Sequence, residues 1–70
     1  MNLNIDNYAE FAGTCYTFPD GIEIKLLQVK QRETGLNALY EITYPGGIPK
    51  RHILNLHEFV KQWGHLFEKT

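Results

Sequence analysis

Three histidines could provide metal-binding chemistry, because imidazole is the most common protein ligand for transition metals. His57 and His65 are eight positions apart, which would place them on one face of a helix that continued through both. Gly64 is expected to end that helix first, and His52 belongs to a predicted strand. No pair has the spacing of a zinc site, and Glu58 is the nearby carboxylate. We therefore expect solvated or helix-capping histidines, no metal and no cofactor.

One cysteine and several carboxylates could provide nucleophilic or acid–base chemistry. Cys15 lies in a predicted strand with no helix N-terminus or neighbouring cation to favour the thiolate, so we expect it to be a small buried residue. Asp20 lies in a predicted turn, and Glu23 and Glu41 lie on the outer faces of predicted strands. A catalytic pair of carboxylates requires a cleft. We predict that the protein is not an enzyme, and a small enzyme is the least favoured alternative.

Basic residues occur in two groups that could contact nucleic acid. Lys30 and Arg32 lie near the end of one predicted hairpin, and Lys50 and Arg51 lie on a predicted edge strand. With Tyr40 or Tyr44 exposed between them, they would form a basic and aromatic surface suited to single-stranded nucleic acid or RNA. Alternatively, Lys50 and Arg51 protect a sheet edge from pairing, and the tyrosine is part of the core. We favour this alternative.

A surplus of apolar residues indicates function more strongly than the basic residues do. Leu27, Val29, Leu39 and Ile53 fall off the main core stripe in at least one strand register. A sheet in so short a chain rarely buries both faces unless a second layer covers it, and the N-terminal segment is the candidate for that layer. If it does not cover them, these residues form an exposed patch of the kind that binds another protein or a second copy of the chain.

The stretch Leu54–Trp63 predicts a helix of about two turns. Asn55 is a good N-cap residue, Glu58 lies three positions later, and Gly64 is expected to end the helix in a left-handed conformation. The apolar residues recur with helical spacing, so that one face of the helix covers a core. These residues are Leu56, Phe59, Val60 and Trp63.

Four segments predict short antiparallel strands, because strand-favouring residues alternate between turn sequences. In the second strand the alternation changes phase at Leu26-Leu27, which indicates either a β-bulge or burial on both faces; we favour the bulge. The polar stretch from Gln31 to Gly35 predicts a loop. The predicted strands are Thr14–Phe18, Ile22–Lys30, Leu36–Tyr44 and Ile48–Leu54.

The two ends of the chain predict less structure. In the segment Asn4–Ala12, the spacing of Ile5, Tyr8, Ala9 and Ala12 favours a single helical turn, with Phe11 off the apolar stripe. The tail from His65 to Phe67 is expected to add apolar cover, and residues 68–70 are expected to fray.

Together these segments predict an α+β fold: a small curled antiparallel sheet of four strands, with a short N-terminal helical turn and a C-terminal helix packed on it. The pattern of strand lengths resembles SH3-like small barrels, but an open meander is the alternative. Residues 1–70 are expected to form a single domain. One cysteine, no secretory signal and no membrane-spanning run favour a cytoplasmic protein.

The overall charge helps to rank the possible functions. A formal net charge of −1 argues against broad electrostatic capture of nucleic acid or membrane. We expect a small non-catalytic protein-interaction module that acts as an accessory, regulatory or inhibitor protein and binds another protein or itself. A small nucleic-acid-binding barrel is the alternative.

Overall fold

The computed structural model describes residues 1–69, which form a four-stranded antiparallel sheet, a short C-terminal α-helix and two 3-10 turns. The strands lie in chain order, so β1 and β4 form the two edges and the sheet stays open. The predicted α+β class is confirmed, as an open meander. The elements are β1 (Cys15–Thr17), β2 (Glu23–Arg32), β3 (Gly35–Thr43), β4 (Lys50–Asn55), α1 (Leu56–Trp63), and 3-10 turns at Tyr8–Phe11 and Gly64–Leu66.

The predicted β-bulge is present in β2. Leu26 and Gln28 pair with successive residues of β3, so Leu27 is an extra residue with no partner of its own in the ladder. The bulge reverses the alternation of side chains along β2. Val29, opposite Ala38, therefore lies on the same face of the sheet as Leu26 even though they are three positions apart.

The hairpin between β2 and β3 is tighter than the polar sequence from Gln31 to Gly35 predicted. Arg32 still pairs with Gly35, which leaves only Glu33 and Thr34 between the strands. Gly35 has φ +105°, a conformation that glycine adopts far more readily than other residues. Polar residues are tolerated in this part of the ladder because they are exposed to solvent, and Arg32 is the last residue of β2.

Helix α1 packs on one face of the sheet, as its apolar stripe predicted. Asn55 is the N-cap, and its side-chain Oδ1 accepts a hydrogen bond of 2.9 Å from the His57 backbone N–H. Leu56 and Phe59 are fully buried, and Val60 and Trp63 are half-buried against the core. The core consists of Leu3, Phe11, Ile24, Leu26, Ala38, Tyr40, Leu56, Phe59 and Phe67.

Gly64 does not end α1 in a left-handed conformation, so that prediction is wrong. Its φ is −56°, which is ordinary right-handed helical backbone, and the chain continues into a 3-10 turn. A Cβ at this position would lie 2.8 Å from the carbonyl oxygen of Leu3 and 3.0 Å from Cγ1 of Val60. Glycine is needed here because the N-terminal segment approaches the helix closely.

The N-terminal segment forms the predicted single turn, but the predicted apolar stripe is wrong. Phe11, predicted to lie off the stripe, is 1% exposed, whereas Ile5 is 41% exposed. The turn is a 3-10 helix with three residues per turn, so Tyr8 and Phe11 lie above one another on the same side. Both pack against the core on the face covered by α1, so this segment does not cover the opposite face.

The two ends of the described chain pair with each other. The Leu3 N–H donates to the Phe67 carbonyl at 2.9 Å, and the Lys69 N–H donates to the Met1 carbonyl at 2.9 Å. Phe67 is buried, so the apolar cover expected from the tail is confirmed, whereas fraying is wrong for residues 68 and 69. Residue 70 lies outside the described range. None of the helices in residues 1–69 is long and apolar enough to span a membrane.

Candidate functional site

The register of the sheet separates two faces, because residues directly opposite each other in an antiparallel ladder share a face. The packed face carries Ile24, Leu26, Ala38 and Tyr40 and is covered by α1 and the N-terminal turn. We call the other side the open face. Three rows of residues cross it from β2 through β3 to β4: Lys25, Glu41 and Arg51; Gln28, Leu39 and Ile53; and Lys30, Asn37 and Asn55.

The middle row of the open face is apolar on β3 and β4, where it contains Leu39 and Ile53. Leu39 is half-buried and lies directly opposite Ile53, which is 58% exposed. Leu27, at the bulge beside Gln28, is also half-buried, and it is not among the partly buried residues that pack against the core of the described chain. Of the four predicted protein-binding residues, the structure thus brings Leu39 and Ile53 together, with Leu27 near them.

Val29, the fourth predicted protein-binding residue, lies on the other side of the sheet. It lies opposite Ala38 and packs against the core. The bulge places it there by reversing the alternation after Leu26. Val29 therefore contributes to stability from the packed face and is separated from the apolar row.

A small hollow at one end of the open face joins residues from both sets of candidates. Its volume is about 30 Å³, and it is lined by Leu39 and Ile53 together with Lys30, Arg32 and Asn37. Small-molecule sites are typically about 300–1,000 Å³. The hollow thus has room for the end of one side chain of a partner. A second depression, at Arg32, Glu33 and Thr34, is widely open to solvent.

Asn37 lines this hollow but was not among the predicted site residues. Its side-chain amide donates to the Thr34 hydroxyl at 3.2 Å and to the Gly35 carbonyl at 3.1 Å, which holds the amide beside the hairpin turn. The signal that could have identified it is the strict alternation in β3, where Asn37 has the same parity as Leu39.

The open face is positively charged although the whole chain has a formal charge of −1. Arg51 Nε lies 3.5 Å from Glu41 Oε2, and the Arg51 side chain is 71% exposed, so this ion pair contributes at most about 1 kcal/mol. Within residues 1–69, Lys30 and Arg32 have no carboxylate within 4.0 Å. The cations on this face are Lys25, Lys30, Arg32 and Arg51, and the carboxylates are Glu23 and Glu41. These four cations and two carboxylates give a net charge of +2.

The predicted nucleic-acid-binding set is divided among three places. Lys30, Arg32 and Arg51 lie on the open face, whereas Lys50 lies opposite Ile42 and so has the parity of the packed face. Tyr44 is 55% exposed, but it follows β3 at the end of the sheet remote from Lys30. About seven strand residues separate those two levels, which corresponds to roughly 20 Å.

The remaining chemical candidates are dispersed. Cys15 is exposed, so its predicted burial is wrong: Tyr16 lies on the packed face opposite Ile24, and Cys15, its neighbour, therefore points to the other face.

His52 stacks on Tyr40 with ring centroids 5.4 Å apart, and burial raises the pKa of the Tyr40 phenol above its ordinary value of 10.0. In residues 1–69, no group of three His, Cys, Asp or Glu side chains is arranged to hold a metal ion.

These features make the open face the candidate site: a shallow, exposed surface with an apolar centre and cationic surroundings. Comparisons of the chain with protein-family models, with curated proteins and with solved structures give no match. Inference about function therefore depends on the chemistry of this face.

Proposed function

We propose that this protein is a small non-catalytic interaction module that binds another protein through the open face of its sheet. The observation that carries the proposal is the one-sided cover of the sheet: α1 and the N-terminal turn both pack on the same face, so no layer of residues 1–69 covers Ile53 and Leu39. An apolar group surrounded by polar residues is the usual composition of the centre of a protein interface.

The shape of the open face supports binding rather than catalysis. A hollow of about 30 Å³ is too small to enclose a substrate, and it is lined by two aliphatic side chains, two cations and an amide. A general acid or base normally lies in a cleft that shifts its pKa. Burial raises the pKa of the Tyr40 phenol, and this side chain lies on the packed face, away from the hollow.

The free edge of the sheet favours a partner that binds as an extended segment. β4 has six residues and pairs with β3 alone within the described chain, so its outer backbone groups are available for strand addition. Lys50 and Arg51 at the start of β4 restrict non-specific edge pairing. A partner that combines backbone pairing with contact to Ile53 would satisfy both features.

The charge of the open face favours a different protein over a second copy of this chain. Two faces with a net charge of +2 repel each other when they are brought together. Accessory, regulatory and inhibitor proteins bind partners in this way, and we propose that class for this chain. We place it in the cytoplasm, because an exposed, unpaired thiol such as Cys15 is best preserved in a reducing compartment.

Nucleic acid is the second candidate, favoured by Lys30 and Arg32, which have no carboxylate partner in the part of the chain that the structure describes. Proteins that bind single strands also stack bases on aromatic side chains. None of the three rows that cross the open face contains an aromatic residue, and Tyr44 lies at the other end of the sheet. The aromatic component of such a site is therefore missing where the cations are.

The decisive experiment compares wild-type protein with Ile53→Asp in affinity capture, followed by light scattering to measure oligomeric state. His57→Asp, on the exposed side of α1, is the matched control. We expect Ile53→Asp to lose the captured partner with little change in the urea midpoint, and the control to retain it. A monomer that captures nothing, or equal loss in both variants, contradicts the proposal. Binding to single-stranded oligonucleotide that weakens with salt would instead favour nucleic acid.

A further inference from the structure

We infer that the segment bound by the open face is acidic and carries an apolar residue between two carboxylates. This inference rests on the proposed docking function and specifies its partner. It depends on the arrangement of the rows: the apolar row with Leu39 and Ile53 lies between a row containing Lys25 and Arg51 and a row containing Lys30. The apolar centre thus has cations on both sides along the direction of the strands.

The spacing of these rows fits an extended chain. Residues that share a face of a strand are two positions apart, about 7 Å. A partner segment that runs along the strands repeats its own side chains at the same distance. When an apolar residue of that segment contacts Ile53 and the hollow, the residue two positions away on one side lies over Arg51, and the residue two positions away on the other side lies over Asn55. Lys30 is in the same row as Asn55, two strands away on β2, and it lines the hollow together with Ile53 and Arg32.

Charge complementarity selects acidic residues at those two positions. Lys30 and Arg32 have no carboxylate within 4.0 Å in residues 1–69, and the single partner of Arg51 is Glu41 at 3.5 Å. An acidic segment would supply carboxylate partners for Lys30 and Arg32 and would compete with or add to Glu41 at Arg51, whereas a basic segment would be repelled by Lys30 and Arg32. The Asn37 amide lies opposite Lys30; its nitrogen donates to Thr34 and Gly35, and its oxygen can accept a hydrogen bond from the partner without adding charge.

The test is selection from a random peptide library displayed on phage, performed on the full chain, on Ile53→Asp, and on the double variant Lys30→Glu, Arg32→Glu. We expect wild-type protein to select peptides with Asp or Glu two positions from an apolar residue. The charge-reversed variant should select Lys or Arg at the position that faces residues 30 and 32. Both substituted side chains are exposed, and a urea midpoint equal to that of wild type verifies the fold.

Titration of the best acidic peptide gives the second readout. We expect its Kd to rise by about tenfold or more for the charge-reversed variant, and to rise with salt for wild type. The milder variant Lys30→Gln, Arg32→Gln should show an intermediate increase. Equal affinity for all three proteins would overturn the inference, and so would tighter, salt-sensitive binding of a thymidine oligonucleotide that competes with the peptide.

The peptide selection also distinguishes failure of the acidic-partner inference from failure of the proposed docking function. Peptides that require Ile53 but have neutral or basic flanking residues overturn the acidic partner and leave the docking face intact. Peptides that bind Ile53→Asp as well as wild type bind elsewhere and overturn the docking face itself. A library that yields no peptide for wild-type protein counts against both.

Discussion

The two faces of the same sheet have opposite roles although their residues alternate along the same strands. In β3, Ala38 and Tyr40 are buried beneath α1, whereas Leu39 and Glu41, which alternate with them, face outward. Among residues 1–69, nine buried residues supply the core from one side, so stability depends much less on the composition of the other. The open face is therefore free to combine an apolar row with cations, a combination that a core could not accept.

The largest expected effect comes from truncating a leucine on the packed face. Leu26 is fully buried, so Leu26→Ala should lower the free energy of unfolding by about 2–5 kcal/mol. For a chain of this size that is comparable to the total stability, and much of the protein should be unfolded. Urea denaturation followed by circular dichroism measures it. Ile53→Ala, on the open face, is the control and should change stability by less than about 0.5 kcal/mol. Similar losses of stability for Leu26→Ala and Ile53→Ala would contradict the different roles of the two faces.

An intermediate effect is expected where the covering layer is tightest. Gly64→Ala introduces a Cβ 2.8 Å from the Leu3 carbonyl oxygen, and we expect a loss of about 1–3 kcal/mol from the resulting displacement. Gln62→Ala, exposed on α1, should be neutral. Chemical denaturation of both variants makes the comparison. Alanine is intrinsically better than glycine in helical backbone. A gain in stability for Gly64→Ala would therefore show that the N-terminal segment moves to accommodate the added Cβ without loss of packing energy.

The smallest effect is a pH dependence confined to the packed face. Burial raises the pKa of Tyr40 in the folded protein above 10.0, so the folded state holds the phenolic proton more tightly than the unfolded state. The corresponding stability is fully present below about pH 9 and is lost as the pH rises through the folded pKa. The urea midpoint should fall between neutral and strongly alkaline pH, and this fall should be larger for wild type than for Tyr40→Phe. Identical falls would show that the Tyr40 environment has no effect on titration.

Much of the fold could be predicted because its signals are local. The N-cap Asn55, the apolar stripe of α1 and the strand alternation are each encoded within a few residues, and the phase change at Leu26-Leu27 correctly indicated a bulge. The errors arise where contacts are distant or the helical period changes. The neighbour that requires Gly64 is Leu3, at the other end of the chain. Phe11 was misplaced because a 3-10 turn has a shorter repeat than an α-helix.

The candidate site was only partly predictable, because membership of a face depends on the register. Leu39 and Ile53 were recognised as surplus apolar residues, and Lys30 and Arg32 as cations, but only strand pairing shows that they line one hollow. The same pairing removes Val29 from the site. Alternation in β4 likewise separates Lys50 from Arg51, two neighbours that composition alone treats as one basic group.

The pairing between the chain ends has a practical consequence for protein engineering. Since the backbones of Met1 and Lys69 already hydrogen-bond to each other, a short flexible linker could join them without reorganising the core. New termini opened at the exposed Gly46, between β3 and β4, would leave every strand intact. A circular permutant of this kind would fold through a different order of loop closures and still reach the same arrangement of layers.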